Sequence, residues 1–281
     1  MDVAEYTRAV LLGAIQGVAE FLPISSSGHI VVFGKLFEQW FGGPVGDPVL
    51  FNVAVHLGTL GSILVVYRSD LRMLVRDYRL CAWIVLATIP AGVIGVLFKK
   101  KLEATFEQPL LVACGWLLTA VTLWYGQRFG KNQRTLPEMN ARDATVVGLF
   151  QAVALIVRGF SRSGSTIAGG LLLGFQREAA AKFSFLVAIP AIAGAGVLEI
   201  GPVLREALTG TVREGATSVL TAEAAGILVT GGLVAFVVGW VALRWLIKLI
   251  VRRGVGVFAL YCLILSLITF AWQGYEMLRA P

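Results

Sequence analysis

Six stretches of the chain, residues 48–67, 80–98, 109–127, 183–198, 224–243 and 254–275, carry no Asp, Glu, Lys or Arg; Ile200–Leu204 continue the fourth beyond Glu199. A helix rises about 1.5 Å per residue and needs about 20 apolar residues to cross about 30 Å of hydrocarbon, so six membrane crossings are predicted. Two further regions are apolar but interrupted: residues 9–19 and 21–34 around Glu20, and 144–157 and 163–176 around Arg158 and Arg162. Each piece is too short to span by itself.

The interrupted regions resemble one another. GAIQGVA at 13–19 matches GLFQAVA at 148–154, and SSSG at 25–28 matches SRSG at 161–164, one residue further on, so the chain repeats itself with an offset near 135 residues. Short, Gly-interrupted apolar segments at corresponding positions of two halves point to broken helices that meet near the membrane midplane. The expected architecture is an all-α polytopic membrane protein forming a single domain over 1–281. It is an inverted-topology repeat (about 1–127 and about 140–278), with six transmembrane helices and two re-entrant helical hairpins.

Composition sharpens this. The chain has 281 residues, 57% hydrophobic and 15% charged, with a mean hydropathy of +0.79; soluble domains run about 45–50% apolar and about 25% charged. A soluble enzyme is excluded. The net charge of +7 is spread in short clusters between apolar runs, so no nucleic-acid partner is expected. Cys81, Cys114 and Cys262 lie in apolar runs without a CxxC pair and are expected to be packing residues. Asp2, Glu5 and Arg8 break the first turns, so no signal peptide is expected and the chain should begin at Met1.

Lys and Arg in the loops set orientation. Placing the loop at 68–79 in the cytoplasm puts fourteen basic residues inside and eight outside, with Lys99–Lys101 as the objection. The first broken segment then enters from outside and the second from the cytoplasm, with both termini outward.

An ionisable residue at a helix centre costs about 2.5–3.5 kcal/mol, so Glu20, Arg158 and Arg162 together imply about 7–10 kcal/mol unless they are paired or hydrated. Gln16 and Glu20, four residues apart, share a helical face; an interhelical hydrogen bond within the Gly13/Gly17 motif is an equal reading of Gln16. Pro23 should end the first half-helix. The Ser25, Ser26, Ser27, Gly28 turn that follows offers hydroxyls and backbone N–H groups at a helix N-terminus, which suits a phosphate. Ser161, Arg162, Ser163, Gly164 and Thr166 repeat the device with a guanidinium able to bind phosphate oxygens in pairs. Taken singly either turn reads as an ordinary serine cap; facing each other, they read as a site. His29 follows such a turn and is expected to be functional. His56 has no such neighbours, and its structural and functional readings stand even. Glu199, at a membrane boundary, is expected to be an interfacial or solvated group.

These residues resemble the undecaprenyl-diphosphate phosphatases of the bacterial bacitracin-resistance type. The resemblance rests on Gln16-Gly-Val-Ala-Glu20-Phe-Leu-Pro23-Ile-Ser25-Ser26-Ser27-Gly28-His29 and Gly159-Phe-Ser161-Arg162-Ser163-Gly164-Ser165-Thr166, and the hydrophobic layout agrees along the chain. It implies hydrolysis of a C55 lipid diphosphate at an outward-facing site in the inner membrane, with dependence on a divalent cation (Mg²⁺ or Ca²⁺). It also implies recycling of the lipid carrier for cell-wall synthesis, hence bacitracin resistance. Carried over by position, Glu20, Ser26, His29 and Arg162 are catalytic, with Glu20 also a metal ligand. Gln16, Ser25, Ser27, Gly28, Ser161, Ser163, Gly164 and Thr166 would bind the phosphates. Two departures stand out: Gln16 removes a carboxylate that the family allows, and Arg158 replaces a proline.

Phosphoserine, phosphohistidine and direct attack by water remain open at this level. A transporter or flippase of an anionic polyprenyl lipid or phosphate is the rival reading, since inverted repeats with broken helices also build carriers. The small-residue runs at Gly169, Gly170, Gly174, Gly231 and Gly232 permit close contact within one chain or in a homodimer.

Overall fold

The computed structural model describes residues 3–41, 47–74, 76–98, 108–209 and 222–279. Among these, every extended element is helical: α1 (Val3–Ala19), α2 (Ser26–Phe41), α3 (Pro48–Val66), α4 (Arg68–Leu74), α5 (Tyr78–Leu97), α6 (Pro109–Phe129), α7 (Ala141–Ile156), α8 (Arg162–Leu172), α9 (Arg177–Thr209), α10 (Ala222–Arg253) and α11 (Gly256–Arg279). A single 3₁₀ turn (Leu136–Glu138) and an isolated bridge between Arg134 and Phe175 complete the regular structure. Local chemistry sets several starts. Asp47 caps α3 ahead of Pro48, Asp77 caps α5, Asn140 and Asp143 form a reciprocal capping box on α7, and Ser161 caps α8.

Among the described residues six helices, α3, α5, α6, α9, α10 and α11, are long and apolar enough to cross a membrane, so this is a multi-pass membrane protein. They coincide with the six charge-free stretches, but α9 begins at Arg177 and α10 runs to Arg253. Counting uncharged residues measures the lipid-buried length; the helices continue beyond it because Lys and Arg side chains tolerate helix ends and snorkel outward. Lys182 also finds a partner, pairing with Asp70. The Lys99–Lys101 run lies outside the described residues.

The helices interlock between the halves of the sequence. α1 packs on α10 and, reciprocally, α7 packs on α5; α3 lies against α9 and α10, and α6 against α11. Glycine makes these approaches possible. A Cβ on Gly13 would stand 2.6 Å from Gly231 O, and one on Gly148, its counterpart in the repeated motif, 2.7 Å from Ala87 O. The small-residue runs at 169–170 and 231–232 are likewise used inside the chain, against Phe150, Ala180, Phe51 and Ala54. α8 is wrapped by α6, α7 and α9, and Ser163 through Leu171 are buried. Phe21, Trp116, Leu123, Ile167, Phe183 and Phe185 belong to the core around it, while Val237, Val241, Leu260 and Leu267 stay exposed as a lipid-facing surface should. Cys262 is buried, but Cys114 is exposed rather than packed, since an apolar run in a membrane helix includes the lipid side as well as the core.

Candidate active site

The first break is tighter than the sequence implied. α1 ends at Ala19, one turn before Pro23. The last helical bonds run from Glu20 N to Gln16 O (2.9 Å) and from Leu22 N to Val18 O (3.3 Å). Ile24 N then donates to Leu22 O (2.7 Å), folding the chain around Pro23, and Ser25 takes a left-handed φ of 70°. Buried irregular backbone survives only where its polar groups find partners. Four consecutive carbonyls do: Leu22 O accepts from Ser163 Oγ (3.2 Å), Pro23 O from Cys262 Sγ (3.6 Å), Ile24 O from Trp116 Nε1 (2.8 Å) and Ser25 O from His29 Nδ1 (2.8 Å).

The second break is held by α6. Thr119 Oγ1 shares its hydrogen between Gly115 O (2.9 Å) and Gly159 O (3.2 Å) and accepts from Ser161 N (2.9 Å). Gly159 needs its freedom here, with φ +82° and Val112 O only 2.2 Å from where a Cβ would be. Arg158 and Glu199 are electrostatic neighbours, and Glu199 is half-buried.

The two turns are built alike. Ser25 Oγ accepts from Gly28 N (3.3 Å) and meets Ser27 Oγ (3.2 Å); Ser161 Oγ accepts from Gly164 N (3.0 Å) and meets Ser163 Oγ (3.3 Å). Ser25 and Ser161 are therefore helix caps, and the next residue of each turn faces the centre. Ser26 Oγ donates to Glu20 Oε2 (2.8 Å), and Arg162 Nη2 donates to Glu20 Oε1. Equivalent positions of the two motifs thus engage the two oxygens of one carboxylate. Gln16 Nε2 adds a third donor, to Oε2 (3.0 Å).

Glu20 is nearly sealed, with a side-chain exposure of 6%, and the cluster is complete except at two atoms. Arg162 Nη1 and Gln16 Oε1 are buried with no hydrogen-bond partner in the protein, a donor and an acceptor open to a ligand or to water. Helix geometry also leaves the N–H groups of Ser26, Ser27, Arg162 and Ser163 without intrahelical acceptors.

Of the residues expected from sequence, Gln16, Glu20, Ser26 and Arg162 come together. Thr166 does not join them: its hydroxyl meets Ser184 Oγ (2.6 Å) and Arg162 O (2.8 Å), tying α8 to α9. His29 lies to one side, its ring nitrogens on Ser25 O and the Tyr261 hydroxyl (2.9 Å). His56, whose sequence left its role even, reaches the cluster instead, with Nε2 3.7 Å from Glu20 Oε2. Nothing in the sequence places α3 beside Glu20.

The chain matches the family described as bacitracin resistance protein BacA over residues 9–268. The chain belongs to the BacA family. Among its curated relatives are undecaprenyl-diphosphatases from Rhodopirellula baltica (41% identical, covering 92% of this chain and 95% of the relative) and Rubrobacter xylanophilus (39%; 92% and 94%). One from Moorella thermoacetica is 37% identical, covering 94% and 96%. The BacA match includes both serine-glycine turns, Glu20 and Arg162.

Proposed function

We propose that this protein is an undecaprenyl-diphosphatase of the inner membrane, releasing inorganic phosphate from undecaprenyl diphosphate and leaving undecaprenyl phosphate. Relatives that match it nearly end to end carry that name. The observation that carries the site assignment is the unpartnered Nη1 of Arg162, on a guanidinium that shares the Glu20 carboxylate with the Ser26 hydroxyl.

Diphosphate cleavage needs an in-line nucleophile and neutralised non-bridging oxygens, with positioning as the protein's main task. Ser26 Oγ is the attacking group: its proton passes to Glu20 Oε2 as the oxygen bonds to the terminal phosphorus and the bond to the bridging oxygen breaks. Undecaprenyl phosphate leaves with the bridging oxygen. Water then attacks the phosphoserine, phosphate departs, and the proton on Glu20 returns to Ser26. Arg162 Nη1 and the free N–H groups of the two helix starts take the phosphoryl oxygens. Phosphohistidine has less support, because both ring nitrogens of His29 are engaged.

The donor set suits a divalent cation that arrives on the diphosphate, since Mg²⁺ is commonly held by one or two carboxylates together with substrate phosphates. Glu20 and the unpartnered Oε1 of Gln16 would hold it, and when bound it would neutralise phosphate charge. Among the described residues no cluster of three His, Cys, Asp or Glu builds a cage without substrate.

The two broken helix pairs are re-entrant hairpins entering from opposite faces, and the site opens outward. Supporting this, α7 and α8 have 16 and 11 residues, about 24 and 17 Å of helix against about 30 Å of hydrocarbon, and the loop charges favour that orientation. The purified protein incubated with β-labelled undecaprenyl diphosphate and acid-quenched should retain label on Ser26, and Ser26→Ala should retain none. Unlabelled protein despite full turnover would favour water. Lipid flux in liposomes without phosphate release in detergent would favour a carrier.

A further inference from the structure

His29 matches a catalytic position by resemblance, yet no ring atom of it bonds to Glu20, Ser26 or Arg162; its side-chain bonds run elsewhere. Ser25 O accepts from both the backbone N (3.2 Å) and the Nδ1 (2.8 Å) of His29. A carbonyl only accepts, so Nδ1 carries a hydrogen and is committed to it. Nε2 meets the Tyr261 hydroxyl at 2.9 Å. The ring is clamped between near-parallel Phe33 (centroids 6.0 Å, 13°) and Tyr261 (5.8 Å, 3°), with Trp116 edge-on at 5.3 Å.

What the clamp holds is the one strained turn of the site. Ser25 and Asn132 are the only described non-glycine residues with positive φ, and such a conformation persists only where its surroundings over-determine it. Ser25 fixes the direction of Ser26, the residue that follows it. α11 grips the same segment twice, through Tyr261 on the His29 ring and through Cys262 Sγ on Pro23 O.

We propose that His29 and Tyr261 are a positioning pair: Tyr261 orients the imidazole, the imidazole holds Ser25 O, and the turn thereby presents the Ser26 hydroxyl to Glu20. His29 neither gives up nor takes a proton, nor accepts a phosphoryl group, in turnover. This rests on Ser26 being the presented hydroxyl.

Asparagine separates the roles, because its amide nitrogen reaches the place of Nδ1 and donates to Ser25 O, yet it has neither a titratable nor a nucleophilic atom. Steady-state phosphate release from undecaprenyl diphosphate is measured for the full-length protein and for His29→Asn, His29→Gln, His29→Ala and Tyr261→Phe, with a thermal melt of each. His29→Asn should stay within about tenfold of wild-type kcat, whereas His29→Ala and His29→Gln, which cannot hold the carbonyl in place, should fall about a hundredfold in kcat with KM little changed. Tyr261→Phe should lower kcat alone, and the Tyr261→Phe/His29→Ala double variant should be no worse than His29→Ala.

A folded His29→Asn as inactive as His29→Ala overturns the proposal, as does an unchanged kcat in Tyr261→Phe. If His29→Asn does not fold, Tyr261→Phe decides. Wild-type turnover by Ser26→Ala would instead remove the reading of Ser26, a separate result from the His29 comparison.

Discussion

Arg162 and Glu20 form an ion pair across 142 residues of sequence, each at a break in the helical backbone. The contact joins the two repeated motifs into one site and uses only one arm of the guanidinium, leaving Nη1 for a ligand. Arg162→Ala should lower turnover by about 10²–10³, or roughly 2.7–4 kcal/mol of transition-state stabilisation. Arg162→Lys should recover only part of this, because an ammonium is a single point of charge and cannot hold Glu20 and a phosphate oxygen in fork geometry. Phosphate-release kinetics of the two variants check this.

The crossings were legible in the sequence because hydrocarbon tolerates no charge, and the site because charge in such a chain is so conspicuous: Glu20 and Arg162 stand out at sight. The serine turns were legible as caps or as an anion site, and the fold makes Ser25 and Ser161 caps while Ser26 and Arg162 face inward. What stayed hidden was tertiary. His29, expected at the site, stands to one side of it, and His56, whose readings stood even, lies beside Glu20, since the rotation of α2 and the docking of α3 are set by contacts with α6, α10 and α11 that no local pattern encodes.

His56 is half-exposed at 30% and 3.7 Å from Glu20 Oε2. At that separation no hydrogen bond joins His56 to Glu20, so His56→Ala should cost no more than about fivefold in kcat/KM, roughly 1 kcal/mol of barrier. A loss of a hundredfold or more in the same assay would place His56 among the reacting groups.

Gly115 lets α6 touch the second break: a Cβ there would lie 1.9 Å from Arg158 O and 2.5 Å from Phe160 N. Both are backbone atoms and cannot rotate away, so Gly115→Ala should destabilise by about 1–3 kcal/mol or more and reduce activity by displacing Arg162. Gly92, in α5, has open space around it, and Gly92→Ala should be neutral or stabilising by up to about 1 kcal/mol. Melting temperatures in one detergent compare the two.

Arg134 ties the α6–α7 connection to the end of α8. It donates to both oxygens of Asp143 (3.0 and 2.6 Å) and to Leu173 O (3.1 Å), and its guanidinium lies 4.3 Å from the centre of the Phe175 ring. Asp143 also accepts from Asn140 N (3.1 Å). Asp143→Ala should cost about 1.5–3 kcal/mol, the range for hydrogen bonds to charged groups, on account of the lost carboxylate bonds. A lowered melting temperature with near-normal KM is expected; an unchanged melt contradicts it.

The most direct test is a double-mutant cycle on phosphate release from undecaprenyl diphosphate by the purified protein, using Glu20→Gln, Arg162→Ala and the combination. Residues that act as one unit are strongly non-additive, so the double variant should be about as slow as the slower single one. Losses that simply multiply would mean that the two breaks act independently and do not share one catalytic centre.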